Sequence, residues 1–303
     1  MIDLRRYGPP LARDILGDDD VGDALRAVVG GFGECFAVRA SAGLVFGLLL
    51  DDGRRVAVKL VPPSEGRAAL EGARAVQQAL WARGFPAPRP LAGPLPVGRG
   101  HALVDEWRED GDFKDTRAPA LRRAMAATLA RFVAEAAAVP GVERLPRALN
   151  GRWERPHHPR FDFARADGSW IDERADRVRD VVFGPVSDWA TGHADWSAQH
   201  LRWRDDRVAV VYDWDVVRDS EANVVGYASA VFTATWELDV AKAPSRADAE
   251  AFVADYEAAA GRALDRARVA AARTYLTAYC ARAELSDLDG AEGDFQRALR
   301  ALA

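Results

Sequence analysis

Apolar residues change their period along this chain, and the changes divide it into two dissimilar parts. Val21, Ala24, Leu25, Val28 and Val29 recur at helical spacing after Asp18, Asp19 and Asp20, and Gly30 and Gly31 stop the pattern. Apolar runs of strand length then occupy 35–39, 44–50 and 55–61, separated by Ser41, Ala42 and Gly43 and by Asp51, Asp52 and Gly53. This pattern predicts three antiparallel strands with Asp-Asp-Gly as the second hairpin turn. A helix follows on Leu70, Ala73, Val76, Leu80 and Trp81, then an extended proline-rich segment over 84–90 and a strand over 102–105. Residues 106–111 are polar and end on glycine, a composition suited to a hinge.

The second part is mainly helical. Leu121, Met125, Leu129, Phe132, Val133 and Ala136 mark a long core helix that ends at Pro140 and Gly141. Residues 147–187 are aromatic and irregular, with room for a helix over 172–182, and a hairpin is expected over 201–204 and 207–212. Further helices are expected over 228–238, from an S-x-x-D start at Ser245 and Asp248 through 260, from an Asp265 cap through 284, and from about 290. The fold class is therefore α+β, with domains expected over 1–108 and 109–303.

At 303 residues, with 49% hydrophobic and 29% charged residues, the chain has the composition of a globular protein able to bury a sizeable core. A net charge of -5 and a pI near 5.7 argue against nucleic acid or an anionic membrane as partner. Cys35 and Cys280 lie far apart without metal-ligand spacing, so no disulfide framework or zinc site is indicated. Residues 1–10 lack the apolar core of a signal peptide, and no run of eighteen apolar residues occurs. A cytoplasmic location is the expectation.

Several polar residues stand where their chemistry is conspicuous. Lys59 interrupts an apolar strand; it either faces solvent or holds the phosphates of a nucleotide, positioned by Glu71 from the next helix. Ser41 and Gly43 make a phosphate-covering turn of low specificity, since no G-x-G-x-x-G is present. His157 and His158 are adjacent and so diverge on either regular element, which favours a surface loop over a metal site. Asp195, in His193-Ala194-Asp195, is either a loop cap or a catalytic carboxylate. Asp213 and Asp215 follow a buried strand at i and i+2, as turn residues or as oxygen ligands for a hard cation. Asp172, Glu173, Asp188, Glu237 and Asp239 are solvated surface or a receiver for a cationic amine.

Taken in order, Lys59, Glu71, the 103–107 strand, His193-Ala194-Asp195 with His200 five residues on, and Tyr212-Asp213-Trp214-Asp215 resemble the aminoglycoside phosphotransferase and choline kinase-like phosphotransferases, small-molecule relatives of the protein kinases. The resemblance covers about 20–285. It implies a protein kinase-like two-lobed fold, a β-rich first lobe and a mainly helical second lobe. It also implies ATP or GTP as co-substrate with Mg²⁺, or Mn²⁺ as a softer alternative. Asp195 would take or orient the proton of the acceptor hydroxyl, and Asp213 would bind the metal with Asp215 and His200 as further candidates. Lys59, guided by Glu71, would hold phosphates, and the backbone of Glu106 and Arg108 would meet the purine. Two departures stand out. His200 replaces an asparagine although imidazole is a poor ligand for Mg²⁺, and Asn223 stands where relatives often carry an aspartate that ties the catalytic loop together.

Too few residues follow Asp215 for a segment that cradles a polypeptide, so the expected acceptor is a small hydroxylated molecule such as an aminoglycoside, an amine or a sugar. The competing expectation is a nucleotide-binding regulatory protein whose site has decayed, motivated by His200. A third is a helical interaction protein with inert lobes.

Overall fold

Leu44, Phe46, Leu48 and Leu50 alternate along one run, and a period of two buries one face of an extended strand. In the computed structural model, which describes residues 9–40, 43–149, 161–164, 166–287 and 291–302, this run is β2 (Leu44–Leu50). The chain divides into two units, Met1–Glu109 and Asp110–Ala303. In the first, β1 (Phe32–Ala40), β2, β3 (Arg55–Val61), β4 (Pro90–Val97) and β5 (Gly100–Glu106) form an antiparallel sheet in the order β1-β2-β3-β5-β4. One face, carrying Phe46, Leu48, Val58, Leu60 and Val104, packs with α1 (Pro9–Leu16) and α2 (Val21–Val29) into a single core. Asp20 caps α2 by accepting the N–H groups of Gly22 and Asp23 at 2.8 and 3.2 Å. The following helix is α3 (Arg67–Ala82), with Leu70, Val76 and Leu80 buried.

Two elements here differ from the sequence expectation. The proline-rich segment continues into a strand, β4, and its place at the sheet edge explains how Pro90, Pro94 and Pro96 are tolerated without their N–H donors. The added helix α1 is anchored by the β4–β5 turn: Arg99 donates its N–H to the Ile15 carbonyl at 2.7 Å, and a Cβ at Gly98, where φ is +53°, would approach Leu16 Cα to 2.6 Å.

In the second unit α4 (Pro119–Ala136) buries all six residues that define its apolar stripe. Then come α5 (Ser169–Val182) and the antiparallel pair β6 (Trp189–His193) and β9 (Val216–Ser220), which encloses the hairpin of β7 (Leu201–Arg204) and β8 (Arg207–Val211). The remaining helices are α6 (Glu221–Val231), α7 (Arg246–Ala260), α8 (Arg266–Asp287) and α9 (Asp294–Ala301). A core of Ile171, Val182, Tyr227, Tyr275, Phe295 and Leu299 joins α5, α6, α8 and α9. The helix expected over 228–238 lies earlier in the chain, as α6. All eleven of its residues are buried, so no polar face marks where it begins or ends. Among the described residues no helix is long and apolar enough to cross a membrane.

Ile15 is fully buried and α1 adds its side of the first core, so Ile15→Ala should cost about 2–5 kcal/mol. Urea unfolding followed by far-ultraviolet circular dichroism measures this, and an unchanged midpoint would detach α1 from the core.

Candidate active site

In the second unit β6 ends on His193, and Gly192 before it permits close packing: a Cβ there would meet Val224 Cγ1 of α6 at 2.3 Å. The His193 ring is buried. Its Nε2 lies 3.1 Å from the Tyr212 carbonyl and its Nδ1 accepts the Asp195 N–H at 3.2 Å. Those partners select the neutral Nε2–H tautomer, and burial, reinforced by the charge of His200, lowers the His193 pKa in agreement. The Ala194 N–H donates to the Asp215 carbonyl at 2.8 Å and the Tyr212 N–H to the His200 carbonyl at 2.8 Å. Three bonds thus clamp the loop that carries Asp195 to the loop that carries Asp213. Asp213 is held at φ +49°, a left-handed conformation that costs a non-glycine residue about 1–3 kcal/mol. Its carbonyl accepts the Asp215 N–H at 2.7 Å, which closes a tight turn.

His200 lies between the two carboxylates. Its Nδ1 is 3.6 Å from Asp195 Oδ2 and its Nε2 is 3.6 Å from Asp213 Oδ2, while Nδ1 also lies 3.2 Å from the Asp195 carbonyl. Burial alone would lower its pKa, but the charges of Asp195 and Asp213 outweigh burial and the net shift is upward. In this geometry the His200 ring stands between Asp195 and Asp213 with one nitrogen toward each, beyond hydrogen-bond distance of either carboxylate oxygen. The Asp195 side chain is 48% exposed and that of Asp213 26%. Among the described residues no group of three or more His, Cys, Asp or Glu side chains forms a ready-made metal cage. Asp213 with one further carboxylate still suits Mg²⁺, which is commonly held by one or two carboxylates together with substrate phosphates.

In the first unit Lys59 pairs across the sheet with Val45 and Leu103. Strand alternation puts it with Ala57 and Asp105 on the face opposite the α1 and α2 core. Gly43 adjoins it: a Cβ there would stand 3.6 Å from Lys59 Cε and 2.7 Å from the Leu60 carbonyl. Ser41 lies outside the described residues, as do His157 and His158. The expected partner Glu71 accepts instead from Arg67 Nε at 2.8 Å, one turn away on the exposed side of α3. Asp105, on the same face, feels the charge of Lys59. Burial raises its pKa, and Arg74, Gln77 and Lys59 oppose the rise. Arg74 forms a short charged hydrogen bond to Asp105, and Gln77 Nε2 donates to it at 3.0 Å. The Glu106 N–H is engaged by the Arg89 carbonyl at 2.8 Å, and Arg108 is half-buried two residues on. Trp107, which the sequence reading did not single out, meets Phe36 edge to face at 4.9 Å, and Arg55 lies over Phe36 at 4.2 Å.

The model of the phosphotransferase enzyme family matches residues 43–272. The chain belongs to that family.

Solved structures agree with this phosphotransferase membership at the level of the fold. The amicoumacin kinase hAmiN, in complex with AMP-PNP, Ca²⁺ and Ami, shares 13% identity over 94% of this chain and 92% of its own, with a TM-score of 0.67. An aminoglycoside-3'-phosphotransferase of type VIII shares 22% identity over 85% and 98%, with a TM-score of 0.55. The choline kinase LicA from Streptococcus pneumoniae shares 11% over 93% and 97%, with a TM-score of 0.56. No curated protein sequence matches the chain. The fold is the protein kinase-like two-lobed one, β-rich in the first unit and mainly helical in the second.

Asn223 departs from its expected role in this phosphotransferase. Its Nδ2 donates to the Val182 carbonyl and to Asp219 Oδ1, each at 2.9 Å, so it joins α5 to the start of α6 and does not reach the loop of Asp195.

Arg74→Met removes the principal partner of Asp105 and should destabilise the first unit by about 1–3 kcal/mol at neutral pH. The folded pKa of Asp105 is already raised and rises further in the variant, so its protonated form is favoured in the fold and stability is lost as pH rises. The difference from wild type should therefore shrink as pH falls through the Asp105 pKa. Paired denaturation curves at neutral and acid pH measure this, and a pH-independent difference would contradict it.

Proposed function

We propose that the chain transfers the γ-phosphoryl group of ATP or GTP to a hydroxyl of a small molecule. The observation that carries this reading is the clamp that holds a half-exposed Asp195 beside the Asp213 loop, within a chain of the phosphotransferase enzyme family. Asp195 accepts a hydrogen bond from the acceptor hydroxyl and takes its proton as the oxygen bonds to phosphorus and the bond to the departing diphosphate breaks. Asp213, assisted by Asp215, would hold Mg²⁺ or Mn²⁺, and the ion would supply neutralisation of the phosphate charge. Lys59 serves the phosphates, Gly43 lets the backbone approach them, and the Glu106 carbonyl and Arg108 backbone meet the base. The AMP-PNP and Ca²⁺ bound by hAmiN support a nucleotide with a divalent ion. Neighbours named as kinases of amicoumacin, choline and aminopropanol support an acceptor of small, polar, often aminated type.

A second reading, a nucleotide-binding regulatory protein, is favoured by one observation: an imidazole, that of His200, stands between the two carboxylates that a metal would share. Phosphate transfer from labelled ATP and GTP to pooled aminoglycosides, amino alcohols and sugars, in Mg²⁺ and in Mn²⁺, separates the two. Asp195→Asn should lower kcat by at least about a hundredfold while nucleotide affinity stays within a few-fold. Asp213→Ala should instead weaken the nucleotide affinity that calorimetry measures with the divalent ion present. Transfer undiminished in Asp195→Asn would remove that residue from the reaction, and binding without transfer to any acceptor would favour the regulatory reading.

A further inference from the structure

The second unit contains a cavity of about 140 Å³ that the proposed reaction does not use. Ala230 of α6, Ala249 of α7, Thr277 of α8 and Ala298 of α9 wall it, with Pro244 and Leu302 at its edge. That volume is close to the ~150 Å³ of an apolar cavity that admits benzene.

Arg273 also lines the cavity, and its side chain is 9% exposed. Its guanidinium donates no hydrogen bond among the described residues, and its buried Nε has no partner. Glu250 is the one carboxylate paired with it, at 3.8 Å, and that carboxylate is 51% exposed and already bound by Arg246 Nε at 2.9 Å. Two guanidiniums therefore share one solvent-facing anion. The neighbouring hydroxyls are committed elsewhere: Ser245 Oγ accepts the Asp248 N–H at 3.1 Å and donates to Asp248 Oδ2 at 2.6 Å, and Thr277 Oγ1 donates to the Arg273 carbonyl at 2.8 Å. A buried guanidinium stays charged at neutral pH, and leaving it without a close anion is costly. None of the residues that line the cavity belongs to the loops of Asp195 and Asp213.

We propose that this cavity binds a small organic monocarboxylate, with its carboxylate on Arg273 and Arg246 and its apolar body against Ala230, Ala249 and Ala298. Guanidinium groups match a carboxylate in charge and bidentate geometry, and the alanine wall rewards an apolar body. Inorganic phosphate would leave that wall unfilled and bring a second negative charge toward Glu250.

Benzoate is the probe, titrated into the full chain by calorimetry and ligand-observed NMR, with benzyl alcohol as its neutral counterpart and inorganic phosphate as the polar anion. Benzoate should bind one to one, with the other two at least about tenfold weaker. Arg273→Met should weaken benzoate by about tenfold or more, and Ala298→Leu, which fills the cavity but keeps Arg273, should do the same. Absence of benzoate saturation at about 10 mM, equal binding of benzyl alcohol or phosphate, or full benzoate binding in Ala298→Leu would overturn the assignment. Should Arg273→Met not fold, the Ala298→Leu measurement decides. None of these readouts involves nucleotide or phosphate transfer, so their failure would leave the reaction proposed above untouched.

Discussion

Carbonyl and amide groups of two loops satisfy one another around Asp195 and Asp213, and the candidate site rests on that exchange. One loop leaves β6 and the other leaves β8, so neither belongs to a continuous ladder that would pair its backbone. The Ala194 N–H finds the Asp215 carbonyl, and the Tyr212 N–H finds that of His200. His193 completes the set because a neutral imidazole donates with one nitrogen and accepts with the other. Protonation would leave Nδ1 unable to accept the Asp195 N–H, and the loop would lose its internal brace. Burial of this ring disfavours that protonation and so holds the loop's conformation.

His200 couples the two carboxylates of the same site. Asp195 and Asp213 face one ring from its two nitrogen sides, and their charges favour its protonated form against the effect of burial. An asparagine amide would supply a dipole and an oxygen in that place; the histidine supplies a titratable ring. The left-handed Asp213 adds strain that the clamp must hold, and tight backbone turns at functional positions are where such strain persists.

Much of this was legible in the residues, for identifiable reasons. The stripe of Leu121, Met125, Leu129, Phe132, Val133 and Ala136 reads as one helix face because that face alone meets the core. The His193–Asp195 stretch and the Tyr212–Asp215 stretch read as a pair because local spacing carries them. Glu71 misled because position in the first turns of a helix does not tell which side a residue faces. Arg67 lies four residues before it and draws it outward, while Arg74 and Gln77 point to the sheet. The bounds of α6 were hidden by uniform burial, and β4 by prolines that only an edge strand accepts. The aromatic pair of Phe36 and Trp107 joins residues distant in sequence, and no local pattern announces it.

Asn223 shows how a departure from the pattern of relatives follows from its neighbours. Asp219 is fully buried and is reached by Arg147 Nη2 at 2.8 Å, by the Ser220 N–H at 2.8 Å and by Asn223 Nδ2 at 2.9 Å. A buried carboxylate needs such donors in place of the water it has lost. An aspartate at 223 would remove the N–H that serves both Asp219 and the Val182 carbonyl, and would set a second carboxylate against the first in a site without water access. With Asp219 in place at the end of β9, position 223 must donate, and asparagine is the residue of that size which does. The brace that relatives obtain from an aspartate is here redirected to α5, and the loop of Asp195 relies instead on His193 and the Asp215 carbonyl.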